Sequence, residues 1–163
     1  MFDYTFEQPP LTQKEIQQEI DYLVKNDKEI NHILTQTKTP ILIKDFDPNI
    51  RALYHIKKKQ IWVNNTGIYP GQLKEMLLHE CIHCYDHLIN KINIGTKEGL
   101  ARSEVHAMRE CECAGSWFRR WCTYYKAIQA VTLSTGNHEA ARSAVDSVFS
   151  DAYYEDIFHD PYN

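Results

Sequence analysis

Three observations predict an α+β fold for this chain of 163 residues. Apolar residues recur at helical spacing near the start, three short β-branched and aromatic runs follow within 41–63, and long breaker-free stretches fill the remainder. Helices and strands that occupy separate blocks of a sequence, with no strict alternation, segregate into a small sheet with helices packed against it. The length fits one domain over 1–163, with 1–10 as an N-terminal extension ended by Pro9-Pro10.

The elements follow in order. Thr12 is placed to cap a first helix, Glu15 to close a capping box, and Leu11 with Ile16 to form a hydrophobic staple. Ile16, Ile20, Leu23, Val24, Ile30 and Leu34 then give one apolar face to a single helix of roughly two dozen residues. Ile41-Leu42-Ile43, Ala52-Leu53-Tyr54-His55-Ile56 and Ile61-Trp62-Val63 read as the strands of a three-stranded antiparallel or mixed sheet. Lys57-Lys58-Lys59 joins the last two as the solvated turn of a hairpin. After the turn chemistry of Asn64-Asn65-Thr66-Gly67 and Pro70-Gly71, residues 72–89 hold no breaker and predict a second helix. Gly95 interrupts. A third helical stretch runs from near Glu98 to about Leu133, weakest at Gly115-Ser116, and Asn137 caps a last helix carrying Ala144, Val145, Val148 and Phe149. Trp117, Trp121, Tyr124, Ile128 and Val131 recur at helical spacing, which predicts a core-facing stripe.

Composition narrows the function. Eighteen Lys and Arg against 22 Asp and Glu give a formal net charge of −4, so the excess of positive charge that general nucleic-acid binding requires is missing. No apolar stretch approaches the ~20 residues needed to cross a bilayer, so any membrane association is expected to be peripheral. Met1 to Glu7 is acidic and aromatic where a secretory signal or transit peptide is basic, and no cleavable presequence is expected. Five cysteines cannot all pair with one another.

The chemistry concentrates on the second helix, in His79-Glu80-Cys81-Ile82-His83. At about 100° per residue, two histidines four apart share one face one turn apart, so both imidazoles can reach a single cation. Glu80 projects beside the pair, where a carboxylate can take a proton from an activated water instead of ligating. Cys81 and Cys84 point about 100° or more away from the histidines and are expected to be buried free thiols. A four-thiolate site with Cys111 and Cys113 is disfavoured, since side chains in a C-x-C on a helix diverge. A catalytic zinc needs a third protein ligand and an open position. Asp86 and His87 lie too far along the same helix, so that ligand should come from another element. The best candidate is Glu104, in Ser103-Glu104-Val105-His106-Ala107, 21 residues after His83 and across a helix-loop-helix turn; its E-x-x-A arrangement resembles the ligand helix of glutamate-type zincins, where a small residue one turn on lets two helices approach. Asp86 suits an outer role, orienting a histidine or tying the helices together. His106 reads either as a packed histidine or as a stabiliser of the oxyanion.

Leu77 to Asp86 (Leu-Leu-His-Glu-Cys-Ile-His-Cys-Tyr-Asp), followed by Ala101 to Ala107 (Ala-Arg-Ser-Glu-Val-His-Ala), resembles the mitochondrial inner-membrane metalloprotease family that matures and helps assemble ATP synthase. Its pattern is H-E-L-I-H-x-[FY]-D, then A-C-S-E-[IV]-R-A. Cys122-Thr123-Tyr124-Tyr125-Lys126-Ala127 and Ala144-Val145-Asp146-Ser147-Val148-Phe149 are similar to its later segments, so the likeness spans about 15–155. The resemblance implies a zincin-like fold of the minimal glutamate type, with an active-site helix, a third-ligand helix and C-terminal helices. It also implies a zinc-dependent endopeptidase, peripheral to the inner membrane and facing the intermembrane space, that processes ATP synthase subunit 6. His79 and His83 match its zinc ligands, Glu80 its catalytic base and Glu104 its third ligand. Ile61-Trp62-Val63 would bind an extended polypeptide substrate by edge pairing.

The sequence also departs from that family. Arg102 stands where a Cys is usual and His106 where an Arg is usual. Val63 and Leu88 occupy other cysteine positions, Ala152 lies near a third, and the chain stops at Pro161-Tyr162-Asn163 without the family's longer tail. These departures keep a second reading in play: a protease-derived structural or assembly subunit of a mitochondrial inner-membrane complex, with zinc retained as a folding staple.

Overall fold

The computed structural model describes residues 8–158. The expected extension lies outside the described residues from Met1 to Glu7, as does the Pro161-Tyr162-Asn163 end. The architecture is α+β. Among the described residues there are α1 (Gln13–Asn26), α2 (Lys28–Thr37), β1 (Ile41–Lys44), β2 (Ala52–His55), β3 (Gln60–Asn64), α3 (Leu73–Leu88), α4 (Lys97–Glu110), α5 (Arg119–Thr135) and α6 (His138–Ala152).

Thr12 caps α1 through the reciprocal capping box with Glu15. The single helix expected over the first apolar stretch is instead two, because Asp27 ends α1 in an extended conformation and caps α2. Its Oδ1 accepts from the Glu29 and Ile30 backbone N–H groups at 3.1 and 3.0 Å, and its Oδ2 pairs with Lys74 Nζ on α3. An aspartate that satisfies two orphan donors competes well with helix continuation. Replacing Asp27 with Ala is expected to cost about 1 kcal/mol of stability, measured as a lower denaturant midpoint at unchanged slope.

The sheet is mixed and ordered β1-β3-β2. The hairpin forms as expected, with Leu53 opposite Trp62 and Tyr54 opposite Ile61. Lys59 takes a left-handed conformation (φ 52°) in its turn. β1 runs parallel to β3, with Ile41 opposite Ile61. β3 therefore has neighbours on both sides and cannot accept a substrate strand, which corrects the edge role expected for Ile61-Trp62-Val63. The free edges belong to β1 and β2. Asn64, almost fully buried, holds the loop before β2 by donating to the carbonyls of Asp47 and Ile50.

Ile61 and Val63 face inward, where they join Ile16, Ile30, Ile33, Leu73, Leu77 and Ile82 in a core shared by the sheet, α1, α2 and α3. Ala107 reaches this core from α4. A second apolar cluster lies among α4, α5 and α6, with Ala101, Val105, Ile128, Val131, Ala144 and Val145 inside. The expected third helical stretch is broken earlier than Gly115: α4 stops at Glu110, and Arg119 opens α5. Gly99 starts α4 flush against the loop before it, since a Cβ there would lie 1.9 Å from the Asn93 carbonyl oxygen. The aromatic stripe divides. Ile128 and Val131 are buried and Tyr124 packs against the second cluster, but Trp117, which lies before α5, is 99% exposed and Trp121, in its first turn, 65%. No helix of the described residues is long and apolar enough to cross a membrane.

Candidate metal centre

α3 carries His79 and His83 one turn apart, with ring centroids 4.7 Å from each other. Packed across them, α4 brings Glu104, whose Oε2 lies 3.3 Å from His79 Nε2 and Oε1 3.4 Å from His83 Nε2. One ligand atom from each of the three residues lies within 4.8 Å of the other two. Glu104 is 8% exposed at its side chain, and its Oε2 is buried without a hydrogen bond. A buried carboxylate oxygen left unsatisfied between two imidazoles suits a cation, and two nitrogens with one oxygen form a donor set that transition metals such as zinc accept.

The far side of each histidine is also engaged. His79 Nδ1 lies 2.8 Å from Glu112 Oε1, and His83 Nδ1 lies 2.7 Å from Ser103 Oγ. A carboxylate can only accept, so His79 donates through Nδ1–H to Glu112, which leaves Nε2 as the nitrogen that faces Glu104 and is placed to ligate. Neither Glu112 nor Ser103 stood out as a partner in the sequence. Ser103 adjoins Glu104 in the quoted motif, but Glu112 lies beyond the end of α4, where helical periodicity gives no direction.

Without a metal the site is strongly polarised. Burial alone would lower the pKa of His79, but the facing carboxylates of Glu104 and Glu112 together outweigh it and hold the imidazole well above its ordinary value. Burial would lower His83 as well, but the charge of Glu104 and the contact with its carboxylate together outweigh it, and His83 is likewise raised. Burial would raise Glu104, yet the facing histidines hold its carboxyl well below the usual carboxylate range.

Glu80 stays outside this trio. Burial raises its carboxyl above the ordinary value, opposed by the charges of His83 and His79. Its Oε2 accepts from the Tyr54 backbone N–H at 2.7 Å. Asn64 N–H donates to the Arg51 carbonyl, so alternate residues from 51 onward bond to β3 and Ala52 and Tyr54 face the other way. Glu80 is thus tethered to the free edge of β2.

Asp86 and His106 come together with each other, not with the histidines of α3. His106, 1% exposed, has Nδ1 2.8 Å from Asp86 Oδ2 and Nε2 2.8 Å from Glu155 Oε2. Both ring nitrogens are occupied, which removes His106 as an oxyanion stabiliser. Asp86 ties α3 to α4 and also accepts from Asn90 Nδ2. Arg102 pairs with the same Glu155, so two departures from the resembled pattern meet on one carboxylate. Asp86→Ala would leave a buried ring nitrogen without its acceptor and is expected to destabilise the fold by about 2 kcal/mol, read by denaturant unfolding.

The cysteines divide as well. Cys81, Cys84 and Cys111 are buried and free, and the Cys84 sulfur shares a hydrogen bond with Thr39. Cys113 and Cys122 form a disulfide between the turn after α4 and the first turn of α5. The two lie nine positions apart in sequence, with no spacing rule to distinguish this pairing from the others.

No curated protein and no solved structure matches the chain. The sequence model of the peptidase M76 family matches residues 10–162 and so takes in both helices of the site, the sheet and the C-terminal helices. The chain belongs to the peptidase M76 family.

Proposed function

We propose that this protein is a zinc-dependent metalloendopeptidase, working as one zincin-like domain, in which His79, His83 and Glu104 hold the metal and Glu80 is the catalytic base. The observation that carries the reading is the separation of roles on α3 and α4: three buried donors converge, while the neighbouring carboxylate of Glu80 is held out of the set. A site that only staples a fold has no need of that fourth group.

Zinc, when bound, supplies a Lewis acid that activates water and polarises the peptide carbonyl. The chain's own residues do the rest. Glu80 accepts a proton at the oxygen not tied to Tyr54 and delivers it to the leaving amine, the usual two-way service of a general base. Burial, which raises its pKa, makes the Glu80 carboxylate a better proton acceptor than a solvated glutamate. The free edge of β2 runs past Glu80, so an extended polypeptide pairing with Ala52 and Tyr54 would pass its carbonyls close to the trio. Displacement of Glu80 from the Tyr54 N–H on substrate binding would free both its oxygens.

The resemblance to ATP synthase-processing proteases supports placing this activity in mitochondria, at the inner membrane facing the intermembrane space. Its substrate there would be a precursor subunit of a membrane complex. A chelator is expected to abolish cleavage of unstructured polypeptide by the purified full chain, and one equivalent of zinc to restore it. Cleavage that survives complete metal removal would overturn the proposal. A protein that keeps its metal and copurifies stoichiometrically with an inner-membrane complex, without cleaving peptide, would point to the structural-subunit reading.

A further inference from the structure

Glu112 is a half-buried carboxylate without another structural task. Its Oε1 meets His79 Nδ1 at 2.8 Å, and its Oε2 is buried with no hydrogen-bond partner among the described residues. It belongs to no apolar cluster and caps no helix. Its backbone lies in the turn between α4 and α5, one residue before Cys113. That turn is fixed at two points close to Glu112. The Cys113 N–H donates to the Met108 carbonyl at 2.9 Å, and the Cys113 sulfur is bonded to Cys122 on α5. The sole covalent brace among the described residues is thus applied next to the residue that orients one imidazole of the metal trio.

We propose that Glu112 is the positioning residue of the metal centre and that the Cys113–Cys122 disulfide holds it in place, so that metal retention depends on the oxidation state of this bond. The inference rests on the metal reading above. A histidine ligand binds well only when its ring is turned so that the Nε2 lone pair meets the metal, and a carboxylate on Nδ1–H fixes both tautomer and rotation. Reduction by a dithiol adds two electrons and two protons to the sulfurs, giving two thiols while the dithiol closes to its own disulfide. The turn then loses its tether to α5, and Glu112 its fixed distance to His79. The chain is thereby matched to an oxidising compartment and loses hold of its metal in a reducing one.

The test measures zinc affinity of the full chain by competition with a chromophoric chelator, in wild type, Glu112→Ala, Glu112→Gln, the Cys113→Ser/Cys122→Ser pair, and that pair combined with Glu112→Ala. Glu112→Ala is expected to weaken zinc binding by about 10- to 100-fold. Glu112→Gln keeps an acceptor oxygen of the same reach and should recover most of the loss, which a general packing defect would not. The serine pair should weaken zinc in the same direction, and adding Glu112→Ala to it should change the affinity little further. Wild-type affinity in Glu112→Ala would overturn the role of Glu112. Fully additive losses in the combined variant would overturn the link from disulfide to Glu112. A wild-type chain that takes up no zinc would instead overturn the metal reading on which the inference stands.

Discussion

Glu80→Gln is expected to lower kcat for peptide hydrolysis by about a thousandfold while leaving the bound metal in place. The amide is isosteric and can still accept from the Tyr54 N–H, so the tether to β2 survives. What it loses is the capacity to take a proton. Metal content by mass spectrometry should match wild type, because Glu80 stands outside the group of three donors. KM should move little, since the substrate strand is proposed to pair with β2. Loss of metal together with activity would show that Glu80 is a ligand and that the division of roles proposed for α3 is wrong.

Glu104→Ala acts on the other half of that division. It deletes the one carboxylate that faces both His79 and His83, and is expected to weaken metal binding by more than about a hundredfold. Thermal unfolding reports the same effect independently. A metal that binds only the folded chain stabilises it by about 2.7 kcal/mol at a hundredfold excess over Kd. Zinc should therefore raise the Tm of the wild type and leave that of Glu104→Ala unchanged at the same concentration. An undiminished shift in the variant would move the third ligand elsewhere. Asp86 and His106 are poor replacements, because each already satisfies the other across α3 and α4.

The legible parts of this molecule are those governed by short-range rules. Two histidines four residues apart on a breaker-free helix had to share a face, and Thr12 and Asn137 had the chemistry to begin helices where they do. Glu104 stood out because a second helix, 21 residues after His83, carried a carboxylate in an E-x-x-A arrangement that resembles a zincin ligand helix. Local competition was harder to read: Asp27 broke a helix that its apolar period would have continued, since a side chain offering two good hydrogen bonds outweighs one more turn.

What remained hidden depends on three-dimensional meeting points. The order β1-β3-β2 puts the strand nearest the active-site helix in sequence at the centre of the sheet, and gives the free edge beside Glu80 to β2. Periodicity cannot report strand order. Trp117 and Trp121 share helical spacing with Ile128 and Val131, but the pattern does not say that α5 begins only at Arg119 or where its packing partners lie. Glu112 and Glu155 reach their histidines from segments outside regular helix, 33 and 49 residues away. Arg102 and His106 looked like unrelated departures from a family pattern until both were found on Glu155.

The central claim is that one metal ion held by His79, His83 and Glu104 makes this chain a peptidase, and titration of metal-free protein with zinc tests it most directly. Hydrolysis of a polypeptide substrate should rise in proportion to added zinc and break at one equivalent per chain, with the Tm rising over the same range. Full zinc occupancy without hydrolysis would contradict the account.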